Sequence, residues 1–245
     1  MTPLTMHTTT TIAVVGASGR MGRAVIDAAL DPSLCCRTAL ELDAKTPDSQ
    51  AVGVIDCVID FSSARGAIRA AQLATERGAA LLSCTTGLDD QARSAVLAAA
   101  KKICVMVAPN TSLGVAVARR LCRDAARLLG SEYAVDLIEH HHHRKLDAPS
   151  GTALALAEAV RAGSGIPVPL SRIHSIRAGD TIGAHSVQFT GPFESIRIEH
   201  DAVSRQLFAI GALRLARWLH GRPAGLVTID DWLDDRLAHH PGAAS

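Results

Sequence analysis

The segment with the clearest chemical content is residues 139–145, which read EHHHHRK. All six residues from 140 to 145 can carry positive charge, whereas the whole chain has a net charge of only +1. Histidine and lysine are also common general acids and bases. The segment therefore predicts a local pocket that binds a small anionic substrate beside proton-donating groups.

The histidine run leaves two other interpretations open. One is a metal site, since histidine is a frequent metal ligand. However, adjacent histidines on a strand point to opposite faces, and no carboxylate–histidine spacing for zinc is present. The other is a solvated polar loop. The sequence favours an anion-binding catalytic site over both.

Residues 147–152, which read DAPSGT, predict a helix start directly after the charged run. Ser150 is expected to cap this helix, and the N–H groups of Gly151 and Thr152 are donors suited to a carboxylate. Lys145 has cationic neighbours along the chain, which favours release of its proton. We predict Lys145 as proton donor, with His141 holding developing charge or relaying the proton. A solvated surface lysine is the alternative.

A second signal is the glycine-rich turn at residues 16–22, GASGRMG, which follows an apolar run and opens a helical pattern. Such a turn lets the backbone approach a pyrophosphate, and the helix start adds N–H donors. Ser18 stands where the usual G-x-G-x-x-G pattern has its second glycine, so a turn without a ligand is the alternative. The strand–turn–helix context favours a dinucleotide cradle.

Glu41 lies 19 residues after Gly22, near the place where an acid accepts from the adenosine ribose hydroxyls. A solvated carboxylate at the strand end is the other interpretation. Leu42 follows, so no arginine is adjacent to bind a 2′-phosphate, and Lys45 is the nearest downstream cation. This arrangement favours NADH over NADPH.

Three further loops follow predicted parallel strands, and they read DFS at 60–62, CTTG at 84–87 and APNT at 108–111. Ligands of open α/β sheets bind beyond the carboxyl ends of the strands. We therefore expect these loops to line the nicotinamide, although residues 86–87 could equally be an ordinary helix-entry turn.

The elements that must position these residues follow from hydrophobic periodicity. Strands are predicted over 11–16, 38–42, 54–61, 79–84 and 103–108, and helices over 20–30, 64–77 and 89–102. Beyond 110 the pattern gives helices over 113–129, 152–162 and 204–220, and strands over 133–140, 171–177, 185–190 and 195–200. Residues 223–235 are short and mixed.

This order predicts an α/β fold with two domains. Residues 1–110 form a Rossmann-type dinucleotide-binding domain, with 217–245 packing back on it. Residues 111–216 form an α+β substrate-binding and oligomerisation domain with a mixed sheet.

Composition narrows the function classes. The balanced charge argues against nucleic-acid and membrane-surface partners, and no apolar run reaches about 18 residues. The first ten residues lack the apolar core of a secretory signal. Six cysteines show no framework spacing, which predicts free buried thiols in a reducing cytoplasm.

The pattern HHxxKxDAPSGTA, which runs from His141 to Ala153, resembles the signature of the 4-hydroxy-tetrahydrodipicolinate (dihydrodipicolinate) reductase family. Residues 16–22, 60–62, 85–87, 176–180 and 204–205 support the resemblance, which covers most of the chain. It implies reduction of a cyclic dicarboxylate to tetrahydrodipicolinate with NADH or NADPH in lysine and diaminopimelate synthesis. It also implies a cytoplasmic homotetramer.

By the same resemblance, His141 matches the general acid/base histidine, Lys145 the proton-donating lysine and His142 a substrate-binding histidine. Gly151 and Thr152 match the pair that binds a substrate carboxylate. The residues that match the cofactor-binding segments are Gly16, Ala17, Ser18, Gly19, Arg20, Met21, Glu41, Cys84, Thr85, Thr86, Ala108, Pro109, Asn110 and Thr111. No metal is implied.

The chain departs from the family pattern at four places. The region between Glu41 and Val54 is short, so that one crossover is expected to be missing or replaced by a loop. Cys84 stands where many members have glycine, which would crowd the nicotinamide, and Leu42 replaces a frequent arginine. His140 and His143 are additional to the histidine pair. The first three departures put the cofactor preference in doubt, and not the reaction.

Other functions stay open at this point. A different two-domain NAD(P)-dependent reductase of a small carboxylate, such as a semialdehyde or homoserine-type dehydrogenase, would share the first domain, but residues 139–152 fit it poorly. A non-catalytic dinucleotide sensor would bind NADH without oxidising it, and a structural protein would bind neither ligand.

Overall fold

A computed structural model of the chain describes residues 9–46 and 53–239. The chain divides into two compact units, one with residues up to Thr111 and from Gln206 onward, the other with Ser112–Arg205. The predicted boundary at residue 216 places most of the helix after Arg205 in the second domain, whereas the structure groups this helix with the first unit. Each unit is built around its own sheet.

The first unit contains a six-stranded parallel sheet. Its strands are β1 (Thr10–Val15), β2 (Cys36–Leu42), β3 (Cys57–Asp60), β4 (Ala80–Ser83), β5 (Cys104–Val107) and β10 (Gly225–Val227). Its helices are α1 (Arg20–Ala28), α2 (Ala64–Arg77), α3 (Asp90–Ala99), α6 (Gln206–Leu219) and α7 (Ile229–Ala238). The strand order is β10-β5-β4-β3-β1-β2, so the order reverses between β1 and β3. This is the point at which open α/β sheets bind ligands.

Local sequence explains most of these elements. Every residue of β1 is buried, as in a parallel strand covered on both faces. The Ser63 hydroxyl caps α2 by accepting from the Gly66 N–H group, and Gly78 ends the helix in the left-handed conformation. Between β2 and β3 the described residues contain no helix or strand, and the loss of a crossover stays a prediction. The part at 47–52 lies outside the described residues.

The sequence pattern did not predict strand β10 or helix α7, because residues 223–235 are short and mixed in character. Three residues of strand give no usable periodicity. The helix does carry a signal, because Thr228 and Asp231 form a reciprocal capping box at its start.

The second unit contains a four-stranded mixed sheet, as predicted. Its strands are β6 (Ala134–His141), β7 (Ile173–Arg177), β8 (Gly183–Thr190) and β9 (Ser195–Ala202), in the order β7-β6-β8-β9. Only the β6–β7 pair is parallel. Helices α4 (Leu113–Leu129) and α5 (Gly151–Ser164) pack on one face, over a core that includes Leu137, Val187 and Phe189.

The cysteines and the apolar character of the helices were also predicted from the sequence. All six cysteines are free thiols, and five of them are buried. Among the described residues, no helix combines the length and the apolar character that crossing a membrane requires.

The contact between α4 and α5 gives a stability prediction. A Cβ atom at Gly163 would overlap the Arg123 carbonyl oxygen, which is backbone and cannot rotate away. We expect Gly163→Ala to lower the free energy of unfolding by about 1–3 kcal/mol, measured by urea denaturation. Gly151→Ala is the matched control, since its Cβ would meet nothing within 4 Å. Equal effects of the two substitutions would contradict this account of the helix packing.

Candidate active site

The inner face of the second unit's sheet changes from apolar to polar along its strands. Alternate residues of a strand share a face, so that Glu139 and His141 follow the core residue Leu137 on β6. On β8 the register places His185 opposite Glu139 and Ala184 opposite His140. A polar cluster therefore lies at the carboxyl end of β6, where the core ends.

Glu139 is the centre of this cluster and is only 1% exposed. Arg177 on β7 binds both of its carboxylate oxygens, with Nη2–Oε1 2.6 Å and Nη1–Oε2 2.9 Å. The Ser150 N–H group donates to the same carboxylate at 3.2 Å, and His141 Nδ1 also hydrogen-bonds to it. Burial raises the pKa of Glu139, but hydrogen bonds from Arg177, Ser175 and His141 outweigh burial and lower it to about 2. Glu139 is therefore an anion at neutral pH.

Arg177 extends the cluster to the loop that follows β6. Its Nη2 also donates to the Asp147 carbonyl oxygen at 2.6 Å. One guanidinium thus joins β7, the Glu139 carboxylate and the loop that leads to α5. A planar group with several donors suits such a junction.

The hydrogen bond from Nδ1 to Glu139 orients the His141 ring and leaves Nε2 without a bond to this carboxylate. Burial lowers its pKa, and the nearby charges of Lys145 and Arg177 act in the same direction, against the effect of Glu139. At neutral pH the ring is neutral, so that Nδ1–H donates to Glu139 and Nε2 carries a lone pair. A Cβ atom at Gly183 would lie 2.9 Å from this Nε2. Glycine at 183 therefore leaves room beside the Nε2 atom of His141.

The start of α5 confirms the predicted cap. The Ser150 hydroxyl accepts from the Ala153 N–H group at 3.1 Å. Gly151 is exposed and begins the helix, and Thr152 follows it. The first N–H groups of a helix have no intrahelical acceptor, so that this end favours an anion.

Lys145 has a different neighbourhood from the one that the sequence suggests. Its Nζ donates to Asp147 Oδ1 at 2.7 Å, so that the like-charged neighbourhood predicted from the sequence also contains a carboxylate. The cause is the turn between them, which brings a carboxylate two residues away back to the ammonium group. The Lys145 side chain is 22% exposed.

Other side chains of the run hold the loop in place. His140 Nε2 hydrogen-bonds to the Ala178 carbonyl oxygen at 3.0 Å, and His143 Nδ1 to the Gly179 carbonyl oxygen at 3.0 Å. Arg144 pairs with Asp180 at 2.9 Å. His142 is half-buried, and its Nδ1 has no hydrogen-bond partner among the described residues.

The metal interpretation gains no support from this geometry. Over 9–46 and 53–239, no group of three or more His, Cys, Asp or Glu side chains is arranged to hold a metal ion.

His185 and His200 are site residues that the sequence analysis does not assign. His185 Nε2 lies 3.2 Å from Ser150 Oγ, and His200 Nε2 lies 3.4 Å from Ser112 Oγ at the start of α4. Burial lowers the pKa of His185 to about 4, with a further contribution from His141. The alternation of side chains along β8 could have indicated His185, because it places His185 on the same buried face as Val187.

In the first unit, the glycine-rich turn has the close approaches that a dinucleotide cradle needs. Gly16 has a φ of +83°, and a Cβ atom there would overlap the Phe61 carbonyl oxygen. A Cβ atom at Gly22 would overlap the Gly16 carbonyl oxygen. The turn therefore accepts only glycine at both positions, which leaves its backbone open to a pyrophosphate.

The remaining predicted cofactor residues all lie at the carboxyl ends of the sheet's strands. Ala17 is buried and Met21 half-buried in the cradle, whereas Ser18, Gly19 and Arg20 are exposed. Cys84 and Thr85 are buried beyond β4, and Thr86 is exposed. Beyond β5, Ala108 is buried, Pro109 exposed and Asn110 half-buried.

Two of the predicted residues, Thr111 and Glu41, and the neighbouring Leu42 have evident structural neighbours. The Thr111 hydroxyl is buried and donates to the Phe208 carbonyl oxygen at 2.7 Å, which attaches the strand end to α6. Leu42 is fully buried in the core, which explains why no exposed cation occupies this position. Glu41 is exposed, and its Oε2 lies 4.0 Å from Arg23 Nη1.

Comparison with known proteins gives a consistent result. Family models described as dihydrodipicolinate reductase match at residues 10–111 (N-terminus) and 114–233 (C-terminus). The 4-hydroxy-tetrahydrodipicolinate reductase of Dechloromonas aromatica is 36% identical, covering 91% of this chain and 98% of that protein. The enzyme of the same name from Stenotrophomonas maltophilia is 40% identical over 89% of this chain and 95% of its own length.

Solved structures show the same fold at lower identity. A dihydrodipicolinate reductase from Paenisporosarcina sp. TG-14, with dipicolinate bound, has a TM-score of 0.67 at 21% identity, covering 89% of this chain and 97% of its own. A DAP dehydrogenase from C. glutamicum has a TM-score of 0.52 at 14% identity, over 95% and 99% of the two chains.

The Glu139 cluster predicts a pH-dependent stability. Because the pKa of Glu139 is about 2 in the folded protein and ordinarily 4.5, its contribution is present above pH 4.5 and is lost as the pH falls towards 2. We expect Glu139→Gln to cost about 3–5 kcal/mol of unfolding free energy at neutral pH, because it removes one partner of a buried ion pair. The difference from wild type should narrow as the pH falls below 4.5, as measured by denaturant titrations.

Glu199→Gln is the matched control for this measurement. Glu199 lies on β9, is 57% exposed and pairs with Arg197 at 3.7 Å. Exposed pairs contribute about 0–1 kcal/mol, so that this variant should remain close to wild type. A Glu139→Gln deficit that is equally large below and above pH 4.5 would count against the ionised Glu139.

Proposed function

The chain belongs to the dihydrodipicolinate reductase family, and from that premise we propose that it reduces 4-hydroxy-tetrahydrodipicolinate to tetrahydrodipicolinate in lysine and diaminopimelate synthesis. It is an NAD(P)H-dependent oxidoreductase that acts on a small carboxylate. The observation that carries the assignment of the site is the attachment of three elements to Glu139. These are the His141 ring, the Asp147 loop (through Arg177) and the start of α5.

The cofactor is proposed to bind at the carboxyl ends of the parallel strands in the first unit. The residues there fit a dinucleotide, because Gly16 and Gly22 keep the turn free of side chains. The proposed contacts are the predicted ones, at Gly16, Ala17, Ser18, Gly19, Arg20, Met21, Glu41, Cys84, Thr85, Thr86, Ala108, Pro109, Asn110 and Thr111. When bound, NADH or NADPH supplies a hydride to an unsaturated carbon of the substrate.

The substrate is proposed to bind in the second unit through its two carboxylates. The N–H groups of Gly151 and Thr152 at the start of α5 receive one carboxylate, since a helix N-terminus stabilises negative charge. His142 lies on the same loop, and its buried Nδ1 is suited to a further polar contact with the substrate. Fixing both ends of the ring supplies much of the rate through positioning.

Lys145 is proposed as the proton donor and His141 as its partner. Starting from the 4-hydroxy ring, the reaction releases the hydroxyl group as water and adds a hydride and a proton, so that one protein group must deliver the proton. His141 is neutral at neutral pH and donates through Nδ1 to Glu139, which leaves Nε2 as an acceptor. Lys145 carries its protons on Nζ, where Asp147 orients the group. This division of roles separates two residues that the sequence leaves interchangeable.

We also propose that the enzyme is a cytoplasmic homotetramer. Ile138 and Ile176 are 45% and 44% exposed on the outer face of the second unit's sheet, which supports a further contact there. The free thiols support a reducing compartment. Light scattering at several concentrations tests the assembly.

The direct test of the reaction combines the purified chain with a source of the cyclic dicarboxylate. The absorbance of NADH and of NADPH is followed in separate reactions. We expect oxidation that depends on both the dicarboxylate and the chain. Binding of NADH without any oxidation would indicate a sensor instead, and the absence of binding in a thermal-shift experiment would exclude both functions.

The role of Lys145 gives a mutational prediction. We expect Lys145→Ala to lower kcat by about 10²–10⁴-fold, the usual contribution of a positioned general acid. The Kd for NADH should change by less than about twofold, because a group that acts only in the transition state does not contribute to cofactor binding. Initial rates and a fluorescence titration measure the two quantities.

Arg144→Ala is the matched control for Lys145→Ala. It removes the adjacent cation, which is exposed and pairs with Asp180. Its kcat should stay within about threefold of wild type. Wild-type turnover in Lys145→Ala would remove Lys145 from the mechanism.

A further inference from the structure

The buried side chain of His185 contacts two separate parts of the candidate site. His185 lies on β8 and is 6% exposed. Its Nε2 lies 3.2 Å from Ser150 Oγ, and its ring meets the His141 ring edge-on, with 5.1 Å between the ring centroids. The cap of α5 and the oriented histidine of β6 therefore share one neighbour, to which the proposed function gives no role.

The contacts of Ser150 determine which nitrogen of His185 is the acceptor. Ser150 Oγ accepts from the Ala153 N–H group at 3.1 Å, and its own hydroxyl hydrogen needs an acceptor because Ser150 is 2% exposed. Burial lowers the pKa of His185 to about 4, so that its ring is neutral at neutral pH. His185 Nδ1 has no hydrogen-bond partner among the described residues, so that the Ser150 contact alone selects the tautomer. Nε2 therefore accepts from the Ser150 O–H group, since the opposite tautomer would leave this hydroxyl without an acceptor.

The direction of the Ser150 hydroxyl decides which N–H group of α5 the cap occupies. A capping side chain bonds to the second or the third N–H group of its helix. Here the hydroxyl lies between His185 Nε2 and the N–H group of Ala153, which is the third. The two positions before it, Gly151 and Thr152, are those that the proposed function assigns to a substrate carboxylate. A hydroxyl that turned towards the second N–H group would compete with this carboxylate.

The backbone of Ser150 is fixed independently of His185. Its N–H group donates to Glu139 Oε1 at 3.2 Å, and this bond does not involve the histidine ring. The pairing of β8 with β6 places His185 directly opposite Glu139, so that both partners of Ser150 come from neighbouring strands. Loss of the His185 contact should therefore change the direction of the hydroxyl without removing the helix start.

We propose that His185 is a positioning residue for substrate binding: by accepting from the Ser150 hydroxyl, it directs the cap to Ala153 and away from the N–H groups assigned to a carboxylate. His185 acts through Ser150 and needs no contact with the substrate itself. The inference rests on the proposed function for the carboxylate site at the start of α5. It adds a residue of β8, which lies outside both the charged run and the helix-start pattern.

The test separates the acceptor of His185 from the bulk of its side chain. Glutamine offers an oxygen acceptor near the position of Nε2, whereas leucine fills a similar volume without one. The probe is pyridine-2,6-dicarboxylate, a stable planar ring with two carboxylates, and its Kd is measured by calorimetry in separate titrations with NADH and with NADPH. We expect His185→Leu to raise this Kd about tenfold, and His185→Gln to stay within about threefold of wild type.

A double-mutant cycle with Ser150→Ala tests whether His185 acts through the hydroxyl. Once the hydroxyl is removed, His185→Leu should change the Kd of the probe by less than about threefold. Additive effects of the two substitutions would overturn the proposal. Equal Kd values for His185→Leu and His185→Gln in the wild-type background would also overturn it, because the acceptor would then have no effect.

His174→Leu is the matched control, on the outer face of the same sheet. His174 lies on β7 with a side chain that is 56% exposed, and its Nε2 lies 3.7 Å from Asp136. This variant should keep the Kd of the probe within about threefold of wild type, and a tenfold rise would overturn a specific role of His185. If His185→Leu has a lowered Tm, His185→Phe provides the same comparison, because it keeps a ring beside His141 and has no acceptor.

The reaction and the role of His185 can fail separately. A wild type that oxidises a nucleotide with the cyclic dicarboxylate, together with an unchanged Kd of the probe in His185→Leu, overturns only the role of His185. Kd values that change as expected, without turnover of the cyclic dicarboxylate, support His185 and overturn the reaction. A wild type that does not bind the probe overturns the carboxylate site and the role of His185 with it.

Discussion

The buried ion pair of Glu139 and Arg177 is the interaction on which the second unit's site depends. A carboxylate that is 1% exposed would be neutral without compensation, because burial penalises its charged form. Donors from β6, β7 and the start of α5 supply that compensation together. Because each donor belongs to a different element, the anion fixes the relative positions of the elements. Replacement by apolar residues could be as stable, but it would leave the His141 ring unoriented.

The polar cluster lies on the same face of the sheet as the apolar core, further along the strands. The strand period keeps residues 137, 139 and 141 on the face that α4 and α5 cover. This face is apolar where α4 and α5 cover it. Near the start of α5 it carries the charged Glu139. The first half of β6 thereby packs in the core, while the second half carries the polar residues Glu139 and His141. His185 continues this change on β8, and its contact with Ser150 links the sheet to the helix cap.

In the first unit the main constraint is steric, because the backbone of the glycine-rich turn must stay accessible to a ligand. Its cradle depends on the absence of side chains at Gly16 and Gly22, where a single Cβ atom would overlap carbonyl oxygens. Here sterics, rather than charge, determine which residues are possible. Charge enters at the edge, where Asp43 bonds to the Ser18 N–H group. In the proposed function, helix starts receive both the substrate carboxylate and the pyrophosphate of the nucleotide, in units built on separate sheets.

The sequence by itself determined the order of the elements other than β10 and α7, the two sheets, the glycine cradle and the segment that holds His141, Lys145 and the α5 cap. These are local properties: periodicity, turn chemistry and capping residues act within a few positions along the chain. Only the tertiary structure decided which side chains form hydrogen bonds and ion pairs with one another. That Arg177 binds Glu139 follows from the pairing of β6 with β7, and that His185 reaches Ser150 follows from the register of β8. The contact of Asp43 with Ser18 likewise joins residues 25 positions apart. Such contacts depend on how strands align across a sheet, which residue type and spacing along one chain do not encode.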